Sequence, residues 1–109
     1  MKNGLIIDAD GTKKWYRHGK LHREDGPAVE YAGGSKYWYL HDKQHREDGP
    51  AEEYANGTKY WYLHGKQHRE DGPAIDCSDG YQEWYYHDQF VNVSSNEDFL
   101  KIIKLKCFW

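Results

Sequence analysis

Short runs of β-prone residues, broken every few positions by turn-forming ones, fill most of the chain, and no apolar period of 3.6 residues appears before residue 94. Tyr37-Trp38-Tyr39 and Tyr60-Trp61-Tyr62 suit pleated strands, where flat aromatic side chains pair with cross-strand neighbours. Between such runs lie Ala32-Gly33-Gly34-Ser35 and Ala55-Asn56-Gly57-Thr58, and Asn-Gly flanked by strand formers is a strong hairpin signal. A second turn carries Gly19, Asp42, Gly65 and Asp88 at one equivalent place, all residue types that tolerate left-handed dihedrals. Asp-Gly-Pro then breaks the chain, because Pro supplies no amide donor and restricts the residue before it. From Ser94 the texture changes. Ser95-Asn96-Glu97-Asp98 reads as a helix start with a Ser N-cap. Phe99, Leu100, Ile102, Ile103 and Leu105 follow as an apolar stripe between Lys101, Lys104 and Lys106.

The pattern repeats. Trp15, Trp38, Trp61 and Trp84 stand 23 residues apart, as do His18, His41, His64 and His87. His-Arg-Glu-Asp-Gly-Pro-Ala recurs unchanged at 22–28, 45–51 and 68–74. Internal periodicity of this length is the mark of a stacked repeat architecture. Units are expected at about 5–27, 28–50, 51–73 and 74–93, together a 1–93 hairpin region, with 94–109 an amphipathic helix closing the stack. The first unit is truncated, and the last degenerates, with Cys77 in a Tyr position. The fold class expected is all-β: a single-layer antiparallel sheet of stacked hairpins with a short C-terminal capping helix.

Composition sharpens this picture. Aromatics make up 17% of the 109 residues, with 5 Trp and 10 Tyr, while aliphatics are scarce before the last dozen residues. Aromatic rings must therefore supply much of the buried area, and disorder, which goes with few aromatics, is disfavoured. A formal charge of -3 with no basic stripe argues against duplex nucleic acid. Protonating all seven histidines would carry that charge to +4 (-3 + 7), so partner affinity is expected to depend on pH between about 5 and 7. Cys77 and Cys107 define no disulfide framework. Met1-Lys2-Asn3-Gly4-Leu5-Ile6-Ile7-Asp8 is too short in apolar residues for a signal peptide or membrane span, which sets a cytoplasmic expectation.

Residues 56–68, Asn-Gly-Thr-Lys-Tyr-Trp-Tyr-Leu-His-Gly-Lys-Gln-His, with the 23-residue period, resemble a MORN repeat, closest to divergent phage, giant-virus and bacterial variants. The resemblance covers residues of about 5 to 90. It departs from the standard repeat where His-Arg-Glu-Asp-Gly-Pro-Ala replaces a His-Gly-x-Gly stretch, so a lipid-binding role does not transfer. It implies a fold of successive hairpins, no enzymatic activity, and a setting like that of antitoxin-like or phage proteins that act on a host or toxin protein. For a phage-encoded chain, that setting is the host cytoplasm.

Equivalent residues of neighbouring units should lie two strands apart, roughly 10 Å. Candidate partner contacts are therefore three ladders: Arg23, Arg46 and Arg69; His22, His45 and His68; and the neighbouring acids, including Glu47 and Glu70. The competing expectation, given more weight, is that these loops only fix the stacking, Arg pairing with Asp or Glu of the adjacent loop. Tyr39 and Tyr62 fall on the opposite strand parity from the Trp row and would line the other face, where a solvated row of Tyr adds further candidate partner contacts. Metal is not expected, because the His-x3-His pairs flank a turn with no third ligand placed. Nor is a cofactor or catalysis, since no unique nucleophile has a partner. A protein-binding module is the leading expectation. The second is a nucleotide or other small anion held by the aromatic, Arg and His rows. The N-terminal hairpin has an uncovered edge, which leaves a homodimer open.

Overall fold

The computed structural model describes residues 2–106, so Cys107 and Trp109 lie outside it. Each unit folds as a hairpin whose second strand runs on into a smaller hairpin. The strands in chain order are β1 (Gly4–Ile7), β2 (Lys13–Arg17), β3 (Lys20–Leu21), β4 (Val29–Glu30), β5 (Lys36–Tyr37), β6 (Tyr39–Leu40) and β7 (Lys43–Gln44). They continue as β8 (Glu52–Glu53), β9 (Lys59–Tyr60), β10 (Tyr62–Leu63), β11 (Lys66–Gln67), β12 (Ile75–Asp76), β13 (Gln82–Tyr86) and β14 (Gln89–Val91). Helix α1 spans Asn96–Lys106. The main sheet is antiparallel throughout, in the order β1-β2-β4-β5-β8-β9-β12-β13-β14, with β3 pairing β2. β6-β7 and β10-β11 form separate two-stranded ribbons. The molecule is a slab, 46 × 31 × 18 Å.

Trp38 and Trp61 mark the break between each main strand and its ribbon. Trp38 donates its N–H to Ala51 of the next unit and accepts from His45 N–H of its own ribbon. One residue therefore serves two partners in two directions, which separates β5 from β6. The carbonyls that the Trp15, Trp38 and Trp61 amides meet belong to fully buried alanines, Ala28, Ala51 and Ala74.

The two turns of each unit are built differently. At the first, Gly57 N–H closes on Tyr54 O, Tyr54 N–H reaches Thr58 O, and Asn56 Oδ1 accepts from Thr58 N–H. Gly57 has φ +95°, where a side chain would be strained. At the second, both central residues are left-handed: His41 at φ 50° and Asp42 at 68°. That pairing of positive dihedrals matches the right-handed twist of the flanking strands.

The C-terminal end has a different core. Trp84, Val91, Phe99 and Ile103 are buried together, with Tyr86, Val93 and Ile102 packed around them. The helix starts where expected: Asp98 N–H donates to Ser95 Oγ, and Glu97 and Asp98 lie in its first turn. Asn96 Oδ1 accepts from Trp84 Nε1 at 2.7 Å, tying the helix start to the last unit.

Candidate functional site

The His-Arg-Glu-Asp-Gly-Pro loops fold back over the tryptophan face. Each guanidinium lies on the Trp ring eight residues before it: Arg23 on Trp15, Arg46 on Trp38 and Arg69 on Trp61, with Cζ 3.8–3.9 Å from the ring centroid. Its Nε and one terminal nitrogen are engaged locally. Arg46 Nε donates to Asp48 at 3.0 Å, and its terminal nitrogen donates to Pro50 O and to Glu53. Arg23 repeats the scheme with Asp25, Pro27 O and Glu30. Arg69 keeps the Asp71 and Pro73 bonds, and Asp76, one methylene shorter than Glu, stands at the third position. The loop glycine leaves room for this packing: a Cβ at Gly49 would stand 2.9 Å from Arg46 Cζ and push the guanidinium from its seat. The arginines pair inside their own loops and with the strand that follows, and not across neighbouring loops as ladder reasoning suggests.

The three loop histidines are nine-tenths buried or more. His22, His45 and His68 accept through Nδ1 from the backbone N–H of His41, His64 and His87 in the next unit, at 2.9–3.0 Å. Their rings lie 4.2–4.5 Å from those of the same turn histidines. An accepting Nδ1 carries no proton, so the neutral Nε2–H tautomer is the one that fits. Burial, with His87 beside it, holds the His68 pKa below the ordinary imidazole value, while Glu70 opposes that shift.

What the loops offer to solvent is acid. The side chains of Glu24, Glu47, Asp25, Asp48 and Asp71 are 75–88% exposed, and Glu70 is exposed as well. Between consecutive loops run two equivalent grooves of about 710 and 640 Å³. The first has Trp38 and Leu40 among its lining, between loops 23–27 and 45–48; the second has Trp61 and Leu63, between loops 46–50 and 68–71.

Tyr39 and Tyr62 lie on the opposite face, half-buried, each paired across its ribbon with Gln44 or Gln67. Burial first, then the carboxylate of Glu52, raises both hydroxyls, Tyr62 to about 12. Glu52 is itself buried, at the position Val29 and Ile75 hold in the flanking units, and accepts from Tyr54 Oη and Gln44 Nε2. Tyr31, Tyr37, Tyr54 and Tyr60 continue this face as a zigzag of edge-to-face rings. Sequence reasoning missed Glu52; its one signal was an acid where the equivalent positions of other units are aliphatic.

Among the described residues, no three His, Cys, Asp or Glu side chains gather as metal ligands. Burial, with Asp79, Asp76 and Glu83 nearby, pushes the Cys77 thiol up, away from the reactive thiolate. No described helix is long and apolar enough to cross a membrane. No protein-family model, no curated protein and no solved structure matches this chain.

Proposed function

We propose that this chain is a non-enzymatic protein-binding module of MORN-like architecture, whose loop face receives an extended basic segment of a partner protein. One observation carries the reading: two equivalent grooves, one unit apart, each lined by a Trp and a Leu and walled by exposed carboxylates. The arginines are engaged within the stack through Nε and one terminal nitrogen, and the buried histidines through Nδ1. The charge left over is negative and favours a cationic partner. Units about 10 Å apart match one three-residue turn of polyproline II, at about 3.1 Å per residue, so in that extended form Lys or Arg at every third position meets successive grooves. Occlusion of the partner's basic segment is how such a module would inhibit a toxin or host protein, the setting implied by the resemblance to phage and bacterial repeats.

The test is an NMR titration of the whole chain with a peptide bearing Lys at every third residue, at low salt, with a Glu-substituted peptide and a nucleotide as controls. Shifts at the Trp38 and Trp61 indoles that are saturable, salt-sensitive and confined to the Lys peptide support the reading. Shifts with the nucleotide alone transfer the loop face to small anionic ligands. An unresponsive pair of indoles with the Lys peptide sinks the protein-binding reading at this face.

A further inference from the structure

The first strand of the sheet, β1, has one side against β2 and the other open among the described residues. Its register places Leu5 opposite Trp15 and Ile7 opposite Lys13. Trp15 turns its N–H the other way, onto Ala28 O. In an antiparallel pair, residues alternate between exchanging bonds and pointing away. Leu5 therefore points its amide and carbonyl outward, and Ile7, two residues on, does the same. The even positions point inward: Asp8 N–H goes to Thr12 O and Lys2 O accepts from Gly19 N–H.

Edge strands that stay unpaired are usually guarded by charge or proline. Gly4-Leu5-Ile6-Ile7 has neither, and Leu5 and Ile7 are 48% and 58% exposed. At the equivalent place inside the stack stand Ala28 and Glu30, both shielded by a neighbouring unit. At the opposite end of the sheet Trp84, which would donate to a following unit, lies beneath α1.

We propose that β1 pairs with β1 of a second copy of this chain, antiparallel about a twofold axis, with Ile6 opposite Ile6 and Leu5 opposite Ile7 of the second copy. This register satisfies the outward amides and carbonyls of Leu5 and Ile7 in both chains. It also brings the Leu5 and Ile7 side chains of both copies together on one face, since paired residues share a side of the sheet. A twofold interface is self-complementary and closes at two chains. The strand is short, so the association is weak and concentration-dependent.

The test is the mass of the intact protein by sedimentation across a dilution series, with Leu5→Lys and with the double variant Leu5→Lys, Ile7→Glu. Wild type should rise from one chain mass to two and plateau, and Leu5→Lys should weaken association roughly tenfold or more. The double variant should recover it, because only the 5-to-7 register sets each new Lys against a new Glu; registers pairing 5 with 5 or 7 with 7 oppose like charges. Melting curves confirm that both variants, altered at exposed positions, stay folded. A wild-type chain that stays monomeric at every concentration overturns the proposal, as does mass climbing beyond two chains. A double variant no better than Leu5→Lys overturns the register.

Discussion

Trp38 in the body of the stack and Trp84 at its end hold the same position in their units and are covered by opposite chemistry. Trp38 lies under a guanidinium, half-buried, with ions around it. Trp84 is 3% exposed, beneath a helix that brings Phe99 and Ile103. The difference follows from what each unit can recruit. An internal unit has few aliphatics to spare, so a planar cation with an apolar face does the covering, and its charge is neutralised by Asp48 and Glu53 on the loop and the next strand. The last unit is followed by an aliphatic-rich segment and closes with a small conventional core. A repeat can thus stay polar enough to be copied, provided its end is sealed by something apolar.

The comparison breaks most sharply at the cap. Phe99→Ala removes the one large side chain with no exposure among the described residues and should cost about 3–5 kcal/mol of cap stability. Because each unit contacts mainly its neighbours, calorimetry should show the end of the stack melting early while the central hairpins persist. A single cooperative transition at the wild-type temperature would contradict a local cap.

Arg46→Ala tests the other covering. It removes the cation over Trp38 and three hydrogen bonds, and should cost roughly 1–2.5 kcal/mol. Arg46→Lys should recover little of this, since an ammonium has no planar fork to stack and bridge at once. Chemical denaturation of both variants measures it. A loss of binding with unchanged stability would instead restore these arginines as partner contacts.

The smallest effect concerns the joint between the regions, where His68 accepts the His87 amide. Its pKa is lowered by burial from 6.5, so the folded state binds fewer protons than the unfolded one. The stability it contributes is therefore complete above pH 6.5 and is lost as pH falls through the lowered value. In the first unit, Asn3 Oδ1 takes the His18 amide instead. His68→Asn should then leave the denaturation midpoint at about pH 7.5 nearly unchanged and flatten its decline towards about pH 5.5. A variant as acid-sensitive as wild type would place the titration elsewhere.

Much of the fold was legible because it is local. Asn56-Gly57 marked its hairpin, Ser95 its helix start, and the spacing of the tryptophans the unit. The Arg–Trp stacking was not, because it depends on the loop turning back over its own strand, and periodicity alone suggests equivalent loops pairing side by side. The histidine contact was hidden for another reason: it joins a side chain to a main-chain amide 19 residues away, which places no demand on the type of the second residue. The N-terminal substitute was invisible as well. Lys2 and Asn3 share no residue with Leu21 and His22, yet Lys2 O accepts from Gly19 as Leu21 O does from Asp42, and Asn3 stands in for an imidazole.

The internal joints have a consequence for how such a chain changes length. Trp15 N–H meets Ala28 O, Trp38 meets Ala51 and Trp61 meets Ala74, so the surfaces on either side of a cut are interchangeable. Excising residues 51–73 would bring Ala74 to the place Ala51 held, with the same loop before it and the same turn geometry after it, and would remove the buried Glu52 together with its unit. In-frame loss or duplication of that unit then creates no unfamiliar interface, and each such step adds or removes one groove. The gene has a ready means of changing the length of the grooved face for which we propose a binding role.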